Sequence, residues 1–257
     1  MSDPLYLLTV EDGVALVTLN RPQAMNSINR ELRLQLLELF PLLDLRDDVN
    51  VIVLTGAGDK AFCTGADLKE RSSRTTADMV HDRHYMIPKF TVVVASVSKP
   101  VIAAVKGYCM GGGFELVLQC DISIAADNAI FALPEVTHGF FPGGGACQRL
   151  PRIIGYQKAK ELILTGRRFD AKEAKELGLL NQIVPTDQVL NEAMTMAKKI
   201  AAYPSMGVIQ AKRAMNQSME TALSQGLRFD DEAWIACMHS DAWKEKLGEF
   251  ARKERKS

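Results

Sequence analysis

The sequence predicts a mixed α/β fold completed by a run of helices, and three observations carry that reading. Short apolar, β-branched runs ending in glycine or a turn recur through the first half of the chain. Helical periodicity takes over from Gln157 onward. The composition, 47% hydrophobic and 24% charged over 257 residues, supplies a sizeable core and suits one large domain or a domain with an appendage.

The elements follow in chain order. VALVTLN, Val14 to Asn20, reads as a strand; the turn RPQAMN leads into the amphipathic pattern INRELRLQLLELFPLL, for which Asn26 or Ser27 offers a cap. VNVIVLTG, Val49 to Gly56, is apolar and ends in glycine, as a strand buried on both faces does. VIAAVKG, Val101 to Gly107, and DISIAA, Asp121 to Ala126, repeat that signal. Between Arg71 and Pro88 the sequence is polar without a clear period, which predicts a helix or mobile loop over the surface. Beyond Gln157 helices are expected in QKAKELILTG, AKEAKELGLL, QVLNEAMTMAKKIAAY, MGVIQAKRAMNQSM and much of Phe229 to Arg255, with no further strands. No low-complexity linker intervenes, so the expected division is a core over residues 1–203 and a helical region over 204–257, docked on the core or on a partner subunit.

Lys plus Arg and Asp plus Glu are both 31, so no field of one sign draws the chain to nucleic acid or to an anionic membrane. The basic cluster ARKERKS reads as a solvated helix end, where cations are favourable. Cys63, Cys109, Cys120, Cys147 and Cys237 are odd in number and form no C-x-x-C pair, which argues against a disulfide framework or a zinc site and for a reducing compartment. MSDPLYLL carries an acid where a secretory leader carries positive charge, and no apolar run approaches the roughly 18 residues of a membrane span. A cytoplasmic location without a membrane partner is expected.

Two motifs suggest chemistry that their context does not support. Gly56, Gly58 and Ala61 in LTGAGDKA match the dinucleotide fingerprint, but the following FCTGAD reads as a second turn, whereas a pyrophosphate needs a helix opening behind the glycines. His81 and His84 share a helical face, yet no third ligand of suitable spacing accompanies them. His138 and His239 stand alone, and the methionine spacing of the C-terminal helices suits core packing.

MGGGFELVLQCDISIAADNAIFALPE, Met110 to Glu135, is different. Glycines ahead of FELVLQC leave the first N–H groups of a helix unhindered, where they lack partners and the macrodipole favours negative charge. A second glycine turn, CTGAD, can offer another N–H to the same oxygen, and two donors on one carbonyl oxygen make an oxyanion hole. Glu115 lies just inside the helix; a helix, a strand and a short extended segment separate it from Glu135, enough chain for Glu135 to return to the same mouth. Two carboxylates beside an oxyanion hole can move protons at carbons next to an activated carbonyl.

Taken together, VALVTLNRPQAMNSIN, VIVLTGAGDKAFCTGADLKE, KPVIAAVKGYCMGGGFELVLQCDISIAADNAIFALPE, HGFFPGGGACQRLPRIIG and LTGRRFDAKEAKELGLLNQIV resemble the crotonase superfamily over nearly the whole chain, most closely its enoyl-CoA hydratases. The resemblance implies a spiral of repeated β-β-α turns with a C-terminal helical trimerisation region, giving a homotrimer or a dimer of trimers. It implies reversible addition of water to a trans-2-enoyl-CoA, as in fatty-acid β-oxidation, with the N–H groups of Ala66 and Gly112 polarising the thioester carbonyl. Glu115 and Glu135 match the paired hydratase glutamates, Glu115 as base and Glu135 as proton source for the α-carbon. Ala66, Asp67, Leu68 and Lys69 match the strip along the thioester and pantetheine, Gly143 a glycine shaping the water pocket, and Leu133 a substrate-pocket position. Coenzyme A is then part of the substrate, and neither a metal nor another cofactor is implied. Leu133 stands where hydratases often carry glutamine, Ala146 and Cys147 replace glycine and threonine, and Lys246 replaces glycine. GGGFEL and ADNAIFALPE also resemble carnitinyl-CoA dehydratases, so dehydration or isomerisation of a branched or polar acyl-CoA is the alternative. A non-catalytic RNA-binding or scaffold role through the basic tail is the remote one.

Overall fold

The computed structural model describes residues 4–254; the end of the basic tail, 255–257, lies outside the described residues. β1 (Tyr6–Glu11) and β2 (Val14–Leu19) form an antiparallel hairpin ahead of α1 (Arg30–Leu45). Three spiral turns follow. The first is β3 (Val51–Gly56), β4 (Ala61–Cys63) and α2 (Leu68–Ser72), extended by α3 (Thr76–Tyr85) and α4 (Ile87–Phe90). The second is β5 (Val101–Val105), β6 (Tyr108–Met110) and α5 (Gly112–Val117). The third is β7 (Ile122–Ala126), β8 (Ile130–Ala132) and a 3-10 turn at Pro134–His138.

In every turn the first strand joins one sheet and the second joins another. The larger sheet has the order β1-β2-β3-β5-β7-β10 and the smaller β4-β6-β8-β9. Parallel register, such as Ile52 opposite Val101 and Ile102 opposite Ile122, holds the repeats together. The remaining elements are α6 (Ala146–Ile154), α7 (Tyr156–Thr165), β9 (Phe169–Asp170), α8 (Ala171–Glu176), β10 (Gln182–Val184) and α9 (Val189–Ala201). The chain closes with α10 (Ser205–Ser218), α11 (Leu223–His239) and α12 (Asp241–Glu254). The expected α/β spiral with a helical end is therefore present.

The continuous apolar strands are explained by burial on both faces. Ile52 and Leu54 of β3 point into the main core between the sheets, while Val51 and Val53 meet Val189, Ala193 and Ala197 of α9 on the other side. This is the two-residue period of a strand read against two different layers.

Two expectations are corrected. Strands do not end before Gln157: β10 pairs in parallel with β7, and the Ser123 N–H donates to the Asn181 side chain at 2.8 Å. Two or three residues carry too little pattern to announce a strand; the waiting sheet edge makes them one. The cap of α1 is Asn29, whose side chain accepts from the Leu32 N–H. Asn26 is instead buried in a left-handed conformation, donating to the carbonyls of Ala57 and Ala61 and so tying the turn after β2 to the one after β3. Of the two forms expected for the polar stretch after Arg71 the helix is the one present, and Thr75 and Asp78 form a reciprocal capping box at the start of α3.

Lys212 of α10 donates to the Lys99 carbonyl at 2.9 Å and to the Asp121 carboxylate at 2.7 Å, fastening the helical end to the loops ahead of β5 and β7. Leu223, Leu227, Trp234 and Ile235 of α11 remain exposed. Among the described residues no helix is long and apolar enough to cross a membrane, and no group of three or more His, Cys, Asp or Glu residues is placed to hold a metal.

Candidate active site

Two glycine turns meet at the amino end of α5. Gly65, after β4, has φ +85°, and a Cβ there would lie 2.8 Å from the Gly112 nitrogen and 3.0 Å from the Met110 carbonyl. A Cβ on Gly112 would lie 3.8 Å from the Ala66 nitrogen. The two backbones can approach this closely because Gly65 carries no side chain; a Cβ on Gly112 would make only ordinary contacts. Ala66 is held in place by its neighbours: the Gly65 carbonyl accepts from Ile28, and the Asp67 N–H donates to the Ile28 carbonyl. Neither the Ala66 nor the Gly112 N–H donates to an acceptor among the described residues. Gly111, at φ +51°, turns the chain from β6 into α5.

Phe114 anchors α5. Its ring lies 5.4 Å from that of Phe131 and 5.8 Å from that of Phe169, all three being buried in the core. The next residue, Glu115, is therefore fixed at its backbone. Its side chain is also gripped: Oε1 accepts from the Gly144 N–H at 2.6 Å and from the Ala146 N–H at 3.1 Å. Only 7% of Glu115 is exposed, and burial raises its pKa against the opposing effect of those two N–H groups, with Arg83 and Arg149 adding to the lowering.

Glu135 comes from the 3-10 turn after β8. Its Oε1 lies 3.0 Å from where a Cβ of Gly111 would be, so the carboxyl returns to the amino mouth of α5. Oε2 is buried without a hydrogen-bond partner among the described residues. Burial first, and then the charge of Glu115, push its pKa up to about 7. The two carboxyls thus sit in different surroundings: Glu115 is gripped by two backbone donors, whereas Glu135 Oε2 has no partner among the described residues and burial pushes its pKa toward neutrality.

The structure also places the other predicted positions. Asp67 caps α2 and pairs with Arg21 at 2.8 Å. Leu68, 60% exposed, and Lys69 lie on the outer side of that helix start. Leu133 is 1% exposed and its side chain belongs to the main core, one residue before the turn that carries Glu135. The Gly143 carbonyl accepts from Arg83 at 2.6 Å. Residue-level reading did not single out Gly144 or Ala146 as the hands that hold Glu115; the signal available was PGGGAC, a second glycine cluster before a helix. Arg83, sixty residues away in sequence, had no local signal at all.

Known proteins were compared with this chain. The sequence model of the enoyl-CoA hydratase/isomerase family matches residues 9–257. A Rhizobium meliloti protein described as a probable enoyl-CoA hydratase is 39% identical over 99% of this chain and 98% of its own. The short-chain-enoyl-CoA hydratase of Clostridium acetobutylicum is 36% identical over 97% of this chain and 95% of its own. The crystal structure of an enoyl-CoA hydratase from Bacillus anthracis superposes with a TM-score of 0.93 at 38% identity, covering 97% of each chain.

Proposed function

The chain belongs to the enoyl-CoA hydratase/isomerase family, and from that premise we propose that it adds water reversibly across the double bond of a trans-2-enoyl-CoA. The observation that carries this reading is the placement of two buried carboxyls, one of them held by two backbone N–H groups, beside the adjoining Ala66 and Gly112 backbones. In the proposed reaction the thioester oxygen sits between the N–H groups of Ala66 and Gly112, which draw electron density out of the conjugated system. Such donors act most strongly on the enolate, because its oxygen carries the charge they are fixed to meet.

Water held between the carboxyls then divides. Glu115 takes its proton as hydroxide bonds to the β-carbon, and Glu135 delivers its own proton to the α-carbon as the enolate collapses. Solvent exchange afterwards returns a proton to Glu135 and removes one from Glu115, so the net change is one water added. The grip of Gly144 and Ala146 suits Glu115 to the ionised role, and the raised pKa of Glu135 suits it to the acid role. A buried acceptor left unpaired, as Glu135 Oε2 is, costs about 1–3 kcal/mol, which a bound water offsets.

Ala66, Asp67, Leu68 and Lys69 would carry the thioester and pantetheine arm, with coenzyme A entering as part of the substrate. The apolar exposed face of α11 supports assembly into a homotrimer or a dimer of trimers, measurable by light scattering on the purified protein. Five unpaired cysteines suit a reducing, cytoplasmic setting.

The test is loss of the ultraviolet absorbance of crotonyl-CoA and longer enoyl thioesters. Wild-type protein is expected to consume it, with Glu115→Gln and Glu135→Gln each slowed by about 10²- to 10⁴-fold. No hydration at any chain length would overturn the reading; slowing by only one substitution would favour a one-carboxylate isomerisation.

A further inference from the structure

Arg83 projects from the last turn of α3 and donates from Nη1 to the Gly143 carbonyl at 2.6 Å. That carbonyl and the Gly144 N–H belong to the same peptide unit. The unit is planar, so fixing the direction of its oxygen fixes the direction of its hydrogen, which points to Glu115 Oε1. Donation into the oxygen also polarises the amide and makes its N–H a stronger donor. A cation, a peptide and a carboxylate therefore stand in series.

The helix that carries Arg83 is braced. Asp82, 5% exposed, pairs with Arg74 and, at 3.5 Å, with Arg30 at the start of α1. Glu70 of α2 accepts from the Arg30 N–H at 2.8 Å. The arm thus has a firm base on the first half of the chain, while the glycine turn it touches has none of its own side chains to hold it.

We propose that Arg83 is a positioning residue for hydration, acting on Glu115 through the Gly143–Gly144 peptide and not through contact with substrate. The inference rests on the role of Glu115 given above. The other charged or titratable groups facing Glu115 are Glu135 from the 3-10 turn and Arg149 and Cys147 from α6. These groups remain when Arg83 is changed, so a change in the behaviour of Glu115 isolates the arm.

Arg83→Ala, Arg83→Gln and Arg83→Lys would be followed with crotonyl-CoA across the pH range and by hydrogen–deuterium exchange. Arg83→Ala is expected to lower kcat by about 10- to 100-fold with little change in KM, the scale of a misplaced reacting group. Its acid limb should move to higher pH, because a positive charge that favours ionised Glu115 is gone. Lys should restore the limb, and Gln should restore part of kcat without restoring the limb. Exchange should quicken in peptides covering residues 141–150 and not in those covering β3, a readout that does not depend on which reaction the enzyme runs. Unchanged exchange at 141–150 overturns the proposal whatever the activity. So does a loss confined to KM, or a kcat loss with an unmoved acid limb. If exchange quickens but the wild type hydrates nothing, the link from Arg83 to Glu115 stands and the hydratase reading fails.

Discussion

Gly111–Gly113 and Gly143–Gly145 are the same three letters at a helix start, and they do opposite things. Each cap has a positive φ, +51° at Gly111 and +114° at Gly145. At the first turn, the Gly112 nitrogen lies beside the Gly65–Ala66 backbone and its N–H has no acceptor among the described residues. At the second, the Gly144 and Ala146 N–H groups are both spent on Glu115. A triglycine cap supplies exposed donors in either case; what lies opposite decides whether they wait for a substrate oxygen or hold a carboxylate. The proposed hydration uses both, because a fixed base is useful only beside a fixed oxyanion.

The comparison can be broken first at the turn whose donors are free. In Gly65→Ala a methyl would press on the Gly112 nitrogen from a backbone conformation that alanine disfavours. The paired donors should separate, and kcat on crotonyl-CoA should fall by about 10²- to 10³-fold, the effect of losing one oxyanion donor. A variant that melts normally and keeps its kcat would refute the role of this N–H pair.

The second turn can be broken in the same way. A Cβ on Gly144 would overlap the Glu115 carboxylate, so Gly144→Ala should swing the base out of place and cost about 10²-fold in kcat. Substrate affinity should hold, because the oxyanion turn is untouched. A KM rise with intact kcat would place Gly144 in binding instead.

The smallest effect concerns Glu135 and stability. Its pKa is raised from the ordinary 4.5 to about 7, so the folded protein holds a proton that the unfolded chain has released. The associated stability is fully present below about 4.5 and is lost as pH rises through about 7. Glu135→Gln removes that loss, so the variant should melt above the wild type at alkaline pH and level with it at acid pH. The same titration predicts that wild-type hydration declines as pH rises through about 7, since the proton donor empties. Equal melting temperatures at every pH would mean that Glu135 is not strained by its surroundings.

Much of this was legible along the chain because the signals were local. β3, β5 and β7 announced themselves as apolar runs ending at turns. Glu115 and Glu135 stood out because glycine and proline punctuate the chain beside them. The strands that were missed are β1, whose alternation is half exposed, and β4, β6, β9 and β10, which are two or three residues long and whose pairing partners are supplied by the spiral. Asn26 was misread for a related reason. Its side chain can cap a helix locally, but the buried carbonyls of Ala57 and Ala61 offered it two bonds from another repeat.

The sequence by itself determined the α/β class, the helical end and the two carboxylates with their glycine turns, because each depends on periodicity or on residues that constrain their own backbone. Only the tertiary structure decided that Gly144 and Ala146 hold Glu115, that burial sets Glu135 near neutrality, and that Arg83 reaches the Gly143–Gly145 turn. Those are properties of approach between distant segments, where desolvation and hydrogen-bond direction are fixed by what packs alongside and leave no periodic trace in the chain.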